Sequence, residues 1–496
     1  MAVFICFILC LLFTFVCVIA LQGSTRRSSR KLPLGPATWP IIGNILELGD
    51  KPHMSLAELS KIHGPLMSLK LGRVTTVVIS SANMAKEVLR KHDLLFCDRT
   101  VKDSITACDH HKVGLPWLPV SEPWRNLRKI CNSYLFTSRK LDANQDVRRK
   151  KVEELRAIVQ ESCRLGTAVD IGQAAFRTIL GSLSNIVFSL DVTNSSAETV
   201  QEFKEVVRCI MDEAGKPNLS DCFPMLKKID PQGIRHRMEI HVRKLLKIFD
   251  LIIQERLELR KMEGYIPFND MLDALLTSED NKEDMDINCI KHLFLDLFVA
   301  GTDTTSSTLE WAMTELLCNP KASSKARTEL EQNIGRGSLM EESDIARLPY
   351  LEAIIKETFR LHPATPLLLP HKARSDVEIS GFTVPKDAQV LVNVWAIGRD
   401  PSTWEDPNSF VPERFLGSEI DAKGGNFELI PFGAGRRICP GLPLASRQLP
   451  VMLGSLINCF DWKLEDGVTP EKMDMEDRFG LTLQKAKPLR AVPTQV

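Results

Sequence analysis

The stretch Phe432-Gly433-Ala434-Gly435-Arg436-Arg437-Ile438-Cys439-Pro440-Gly441 packs three glycines, two arginines and a cysteine into ten residues. Glycine lets a backbone approach a flat ligand closely, because no Cβ stands in the way. The run predicts a glycine-rich loop entering a helix near Pro440. The first N–H groups of that helix, together with Arg437, favour a thiolate over a thiol at Cys439. Phe432 is placed to pack against a ligand face. An unpaired cysteine is by default a small buried apolar residue. Yet Phe, Gly, Arg, Cys and Gly at these spacings arise by chance with a probability on the order of 10⁻⁷ per starting position. The loop reads as a ligand cradle with Cys439 at its centre.

Outward from this loop the chain changes texture twice. From Trp124 to His362 helical periodicity dominates, as in Val152 to Val159, Phe203 to Met211, Ile240 to Leu259 and Ile290 to Leu317. Turn clusters such as Asp230-Pro231-Gln232-Gly233 divide these helices. After Pro363 the text is proline-rich and irregular, with short strands such as QVLVNV. A small β region is expected earlier, where LMSLKL and TTVVIS flank Gly72-Arg73. The expectation is one large, mainly α body with a minor β part over residues 45–496.

At the other end, residues 1–21 carry no charge, and about 20 apolar residues suffice to cross a bilayer as a helix. Arg26, Arg27, Arg30 and Lys31 follow, which by the positive-inside rule leaves the downstream chain cytosolic. A cleaved secretory signal is the alternative, but the run lacks a basic leader and is long for one. We therefore expect a transmembrane anchor at 1–22 and a basic, proline-rich hinge at 23–44, stiffened by Pro33, Pro36 and Pro40. The chain has 63 Lys plus Arg, 63 Asp plus Glu and 13 cysteines. A net charge of zero gives no support to bulk attraction to nucleic acid. The cysteines lack any Cys-x-x-Cys pair, which argues for reduced thiols over a disulfide framework.

The cysteine loop matches F-x-x-G-x-R-x-C-x-G completely, and in this the chain resembles the haem-thiolate cytochrome P-450 family. Three further matches follow the family's order. Ala300-Gly301-Thr302-Asp303-Thr304-Thr305 resembles its distal-helix pattern, Glu357-Thr358-Phe359-Arg360 precedes Phe410-Val411-Pro412-Glu413-Arg414-Phe415, and Trp124 with Arg128 fits W-x-x-x-R. The resemblance spans almost the whole chain and implies a triangular helical body with haem b held between a long distal helix and the cysteine loop. It implies that Cys439 ligates the iron and that Trp124, Arg128, His371 and Arg437 reach the propionates. Many relatives carry arginine where His371 stands. Thr304 and Asp303 would relay protons to reduced dioxygen, while Glu357, Arg360 and Arg414 would form a buried triad behind the loop. Gly301, which costs roughly 1 kcal/mol against alanine in mid-helix, has two readings. It opens the helix to dioxygen, or it lets another helix pack closely.

Narrower likenesses point to the geraniol 8-hydroxylase-like terpenoid oxidases of plant microsomes: Asp221-Cys222-Phe223-Pro224, LFVAGTDTTSSTLEWAM and LHPATPLLLPHKA. By family position Phe294, Phe298, Ala300, Gly301, Ala364, Leu367, Leu368 and Leu481, with parts of the 100–118 loop, should line an apolar pocket suited to a monoterpenol or diterpene. No G-x-G-x-x-G follows a strand, so electrons would come from NADPH through a membrane-bound reductase docking near Arg436, Arg128 and Lys129. The implied setting is the endoplasmic reticulum membrane, with the body cytosolic and the sequons at Asn194 and Asn218 unmodified. Two alternatives stand beside hydroxylation of a terpenoid: a haem-thiolate isomerase or dehydratase, and the same monooxygenase acting on a phenolic or xenobiotic substrate.

Overall fold

The helical text becomes a set of helices, of which those that bear on the site are α1 (Glu122–Cys131), α2 (Gln145–Leu165), α3 (Ile171–Phe188), α4 (Ala197–Gly215), α5 (Ile234–Arg260), α6 (Ile287–Cys318), α7 (Pro349–Leu361) and α8 (Leu442–Cys459). The computed structural model describes residues 13–14, 31–194, 197–277 and 286–495. Among these no helix is long and apolar enough to cross a membrane. The anchor expected at 1–22, apart from Phe13 and Thr14, and the basic patch up to Arg30 lie outside the described residues.

The 32-residue α6 is the axis of the molecule. Asp286 caps its N-terminus by accepting the Cys289 N–H at 2.7 Å, and the following Asn319-Pro320 ends it. It is buried along most of its length because α3 and α5 cover it. Phe188 of α3 stacks on Phe298 of α6 with centroids 5.2 Å apart, and Phe249 of α5 meets Phe294 edge-on at 6.0 Å. Each fully buried phenylalanine contributes roughly 1.5–3 kcal/mol of transfer free energy. Close packing also explains Gly301, since a Cβ there would lie 3.0 Å from Leu183 Cδ1 on α3.

The minor β part includes a five-stranded sheet built from β1 (Leu66–Leu71), β2 (Val74–Ile79), β3 (Asp98–Arg99), β4 (His371–Lys372) and β5 (Gln389–Val392), in the order β1-β2-β5-β4-β3. Only β2 and β5 run parallel. The register places Arg99 opposite His371, joining parts of the chain far apart in sequence. A short hairpin, β6 (Asp477–Arg478) with β7 (Gln484–Lys485), reaches back to α6.

The proline-rich segment is extended from Leu32 to Thr38 and then closes a tight turn from Trp39 to Gly43, and it is docked on the sheet and is not a free linker. Ser68 donates its N–H to Leu34 O at 3.0 Å and its hydroxyl to Pro33 O at 2.7 Å. At Gly35 a Cβ would fall 1.9 Å from Ser68 O, so only glycine permits this approach.

Candidate functional site

The cysteine loop is shaped by its glycines. Gly435 has φ +66°, and a Cβ on it would strike Leu89 O at 2.1 Å. The Cys439 N–H closes the loop on Phe432 O at 2.9 Å. The helix beyond begins at Leu442, two residues later than the proline suggested. Burial pushes the Cys439 thiol up, opposed by the Gly441 and Leu442 N–H groups and by Arg128. The cation that favours the thiolate here is Arg128, while Arg437, expected in that role, donates to the carbonyls of Cys97, Leu115 and Leu118. An iron bound to the sulfur would deprotonate it whatever the resting value. Phe432 packs edge-on against Phe359, centroids 5.2 Å apart.

Beside this loop three guanidiniums converge, each held by backbone carbonyls. Arg128 Nη1 donates to Ile438 O at 2.8 Å, Arg437 Nε to Cys97 O at 2.7 Å, and Arg99 Nη1 to Leu369 O at 2.7 Å. Arg437 and Arg128 lie 4.8 and 5.7 Å from the Trp124 ring. Burial and then the neighbouring Arg437 lower Arg99 to about 9, and burial lowers Arg437 to about 10. Arg99 Nε is buried without a partner. Concentrated positive charge with a spare donor fits a ligand carrying two carboxylates, as haem does.

Arg99 is absent from the sequence-based set. Its segment, Cys97-Asp98-Arg99-Thr100, has no distinctive spacing, and only the sheet register brings it here. His371, which was expected to help, donates Nδ1–H to Phe96 O at 2.6 Å. Burial and then Arg99 hold its pKa well below the usual range. It offers a carboxylate a second N–H only as an imidazolium, which a nearby anion would favour.

On α6 the accessible stripe is Ala300, Gly301, Thr304 and Thr305, while Phe298, Val299, Thr302 and Asp303 are buried. Phe294 and Phe298 leave the pocket set for this reason: their rings are spent in the aromatic core with Phe188 and Phe249. The Thr304 hydroxyl donates to Ala300 O at 2.7 Å, leaving its oxygen free to accept. Asp303 lies to one side of the stripe. Thr482 Oγ1 and Gln484 Nε2 both donate to its carboxylate, whose pKa burial raises.

Leu368, Leu481 and Ala364 are half-buried. Leu483 N donates to Ala364 O at 2.7 Å, Ser307 Oγ to Leu483 O at 3.0 Å, and Leu481 N to Met211 O at 3.0 Å. Leu368 faces Gly433, where a Cβ would lie 3.8 Å from its Cδ1. Leu367 packs instead near Leu56 and Met67.

Glu357, Arg360 and Arg414 meet behind the loop. Arg360 forks onto Glu357 at 2.7 and 2.8 Å, and Arg414 Nε reaches it at 3.1 Å. Of the cations expected at a docking face, Lys129 is exposed, Arg436 pairs with Asp93 at 2.8 Å, and Arg128 points inward. Asn218 is buried and caps the Ser220 N–H at 2.9 Å, so of the two sequons only exposed Asn194 is open to modification.

A family model described as cytochrome P-450 matches residues 33–490. The chain is 56% identical to geraniol 8-hydroxylase of Swertia mussotii over 484 residues, 97% of each chain. It is 53% identical to drimenol monooxygenase of Persicaria hydropiper over 485 residues, 97% of this chain and 96% of that one. It is 52% identical to 7-ethoxycoumarin O-deethylase of Helianthus tuberosus over 465 residues, 94% of each.

Proposed function

The chain belongs to the cytochrome P-450 family, and on that premise we propose that it hydroxylates a small terpenoid, a monoterpenol or diterpene. Dioxygen is the co-substrate, and NADPH supplies electrons through a membrane-bound reductase. Haem b, when bound, supplies the redox chemistry that activates dioxygen. The chain's own residues bind and orient. Cys439 provides the thiolate ligand, and Arg99, Arg128 and Arg437, with Trp124 and His371, hold the propionates. Thr304 holds a proton at Oγ1 on the accessible stripe of α6. Ala300, Gly301, Ala364, Leu368 and Leu481 form an apolar wall that orients substrate and excludes water.

The single observation that carries this reading is the carbonyl-held arginine cluster beside Cys439, with the buried, unpartnered Nε of Arg99. The terpenoid class rests on the apolar lining and on relatives named for geraniol and drimenol. A relative named for 7-ethoxycoumarin at nearly equal identity keeps a xenobiotic substrate as the second reading.

We place the protein at the endoplasmic reticulum membrane, anchored by residues 1–22 with its body cytosolic. Trp39 and Ile41 are 62% and 48% exposed, and Met225 and Ile229 are 66% and 71% exposed. The two segments adjoin, since Gly72 N meets Ile42 O at 3.1 Å and Arg73 N meets Cys222 O at 2.9 Å. Such an apolar face beside an anchor suits an interfacial position.

Optical titration of haem-loaded protein with geraniol, a diterpene and 7-ethoxycoumarin tests the assignment. A saturable shift of the ferric Soret band towards high spin with a terpenoid supports it. A response to the coumarin alone would replace the substrate class, and a chain that takes up no haem would remove the function.

A further inference from the structure

Residues 103–118 connect the arginine cluster to α6, and their path includes two consecutive left-handed non-glycine residues, Cys108 (φ +51°) and Asp109 (φ +57°). Such backbone persists only when tertiary bonds hold it. Three buried polar side chains supply those bonds. His110 Nε2 lies 3.0 Å from Asp296 Oδ1, His110 Nδ1 lies 2.9 Å from His292 Nδ1, and the Leu115 N–H donates to Asp296 Oδ2 at 2.8 Å. His292 and Asp296 are one turn apart on α6, so they present one face to the loop. The two imidazoles stack at 5.1 Å. Gly114 leaves the room: a Cβ there would meet the His110 ring at 2.7 Å.

The Asp296 carboxylate accepts at Oδ1 from His110 Nε2–H and at Oδ2 from the Leu115 N–H, and of the two facing Nδ1 atoms one donates and the other accepts. The result is one connected chain of His292, His110 and Asp296, with the Leu115 N–H ending on the same carboxylate. Burial, then His110 and Lys291, lower His292 to about 4. The far end of the loop passes to the cysteine side, where the Leu115 and Leu118 carbonyls accept from Arg437.

We propose that His292, His110 and Asp296 form a latch that clamps the 103–118 loop to α6 and so controls entry to and release from the cavity over Cys439. The three are positioning residues, and nothing in the latch touches a reacting atom. The proposal rests on the reading of α6 and the cysteine loop as the two walls of a haem site.

The test uses the haem-loaded, full-length protein with 4-phenylimidazole, an apolar azole that ligates haem iron whatever the natural substrate. His292→Phe keeps the stacked ring and deletes the hydrogen bond to His110 Nδ1. Asp296→Leu removes both acceptors. Asp296→Asn keeps both bonds, its amide donating to His110 Nε2 while its oxygen still accepts from Leu115. His292→Phe and Asp296→Leu should raise azole dissociation about tenfold and speed amide exchange across 103–118, and Asp296→Asn should stay within about twofold of wild type. Wild-type exchange and dissociation in His292→Phe would overturn the latch, as would Asp296→Asn behaving like Asp296→Leu. If Asp296→Leu fails to fold, the His292→Phe and Asp296→Asn pair still decides. A wild-type chain that binds no haem would instead remove the underlying function, while amide exchange across 103–118 would still report on the clamp.

Discussion

The hydroxyl of Thr482 donates to the carboxylate of Asp303, and with Gln484 on the other oxygen the acid is wholly engaged by the β6–β7 hairpin. This bond sets where Leu481 stands, one residue before Thr482 and tied to Met211 on α4. Thr482→Val keeps the shape and removes the donor, leaving a buried carboxylate short of one charge-assisted bond worth roughly 1.5–3 kcal/mol. We expect substrate affinity to weaken about five- to tenfold and the product distribution to broaden. The fraction of reducing equivalents recovered as product should stay near wild type, because Thr304 is untouched. Asp303→Asn should disturb both quantities. A silent Thr482→Val would deny the hairpin bond any part in shaping the cavity.

Arg99 gives a prediction with opposite signs in the two forms of the protein. Without haem its charge repels Arg437, and burial already lowers both. With haem it offers a carboxylate donor. Arg99→Leu should therefore speed haem loss about 10- to 100-fold, equivalent to one charge-assisted bond of roughly 1.5–3 kcal/mol. The haem-free chain should melt no lower than wild type. Haem transfer to an excess of an apo haem acceptor and thermal melts of both forms measure the two effects. A parallel fall in both would mark Arg99 as ordinary scaffolding.

Much of the site was legible because it is local. The cysteine loop, the stripe from Ala300 to Thr305 and the Glu357–Arg360 pair each lie within one stretch of chain. What the sequence hid is long-range: Arg99 reaches the cluster through the β3–β4 register with His371. Phe294 and Phe298 are a different case, since helix phase places each two turns from a residue of the accessible stripe, Gly301 and Thr305, and only the packing of α3 and α5 draws their rings into the aromatic core. Of the expected hinge, residues 32–38 are extended, and their docking on β1 depends on Ser68, which no local pattern announces.

The triad should be strongly unequal in its members. Arg360 is fully buried, forks onto Glu357 and also donates to the carbonyls of Gly398, Pro407 and Ser409. Arg414 keeps some solvent access and makes one bond to Glu357 at 3.1 Å. Deleting one partner of a buried pair costs about 3–5 kcal/mol, because a charge is left stranded. Arg360→Met should abolish recovery of haem-loaded protein, whereas Arg414→Met should lower its melting temperature yet still load haem. Equal losses in the two variants would contradict the geometry.

Glu310 carries the clearest pH signature outside the site. It lies on α6, accepts the Leu489 N–H at 2.7 Å, and faces Gly172, where a Cβ would stand 2.8 Å from its carboxylate. Burial raises it from 4.5 to about 7, with Asp170 adding to the rise and the Leu489 N–H opposing it. The folded chain thus holds this proton more tightly than the unfolded chain. Stability from the group is full below about pH 4.5 and is lost as pH climbs towards 7. Glu310→Gln accepts the same N–H without a charge to desolvate. It should match wild type at the acid end and exceed it above pH 7 by at most about 3 kcal/mol. Melting temperatures of the two proteins between about pH 5 and 8 should therefore diverge as pH rises. A gap that stays constant across that range would assign the effect to packing and leave Glu310 without a titrating role.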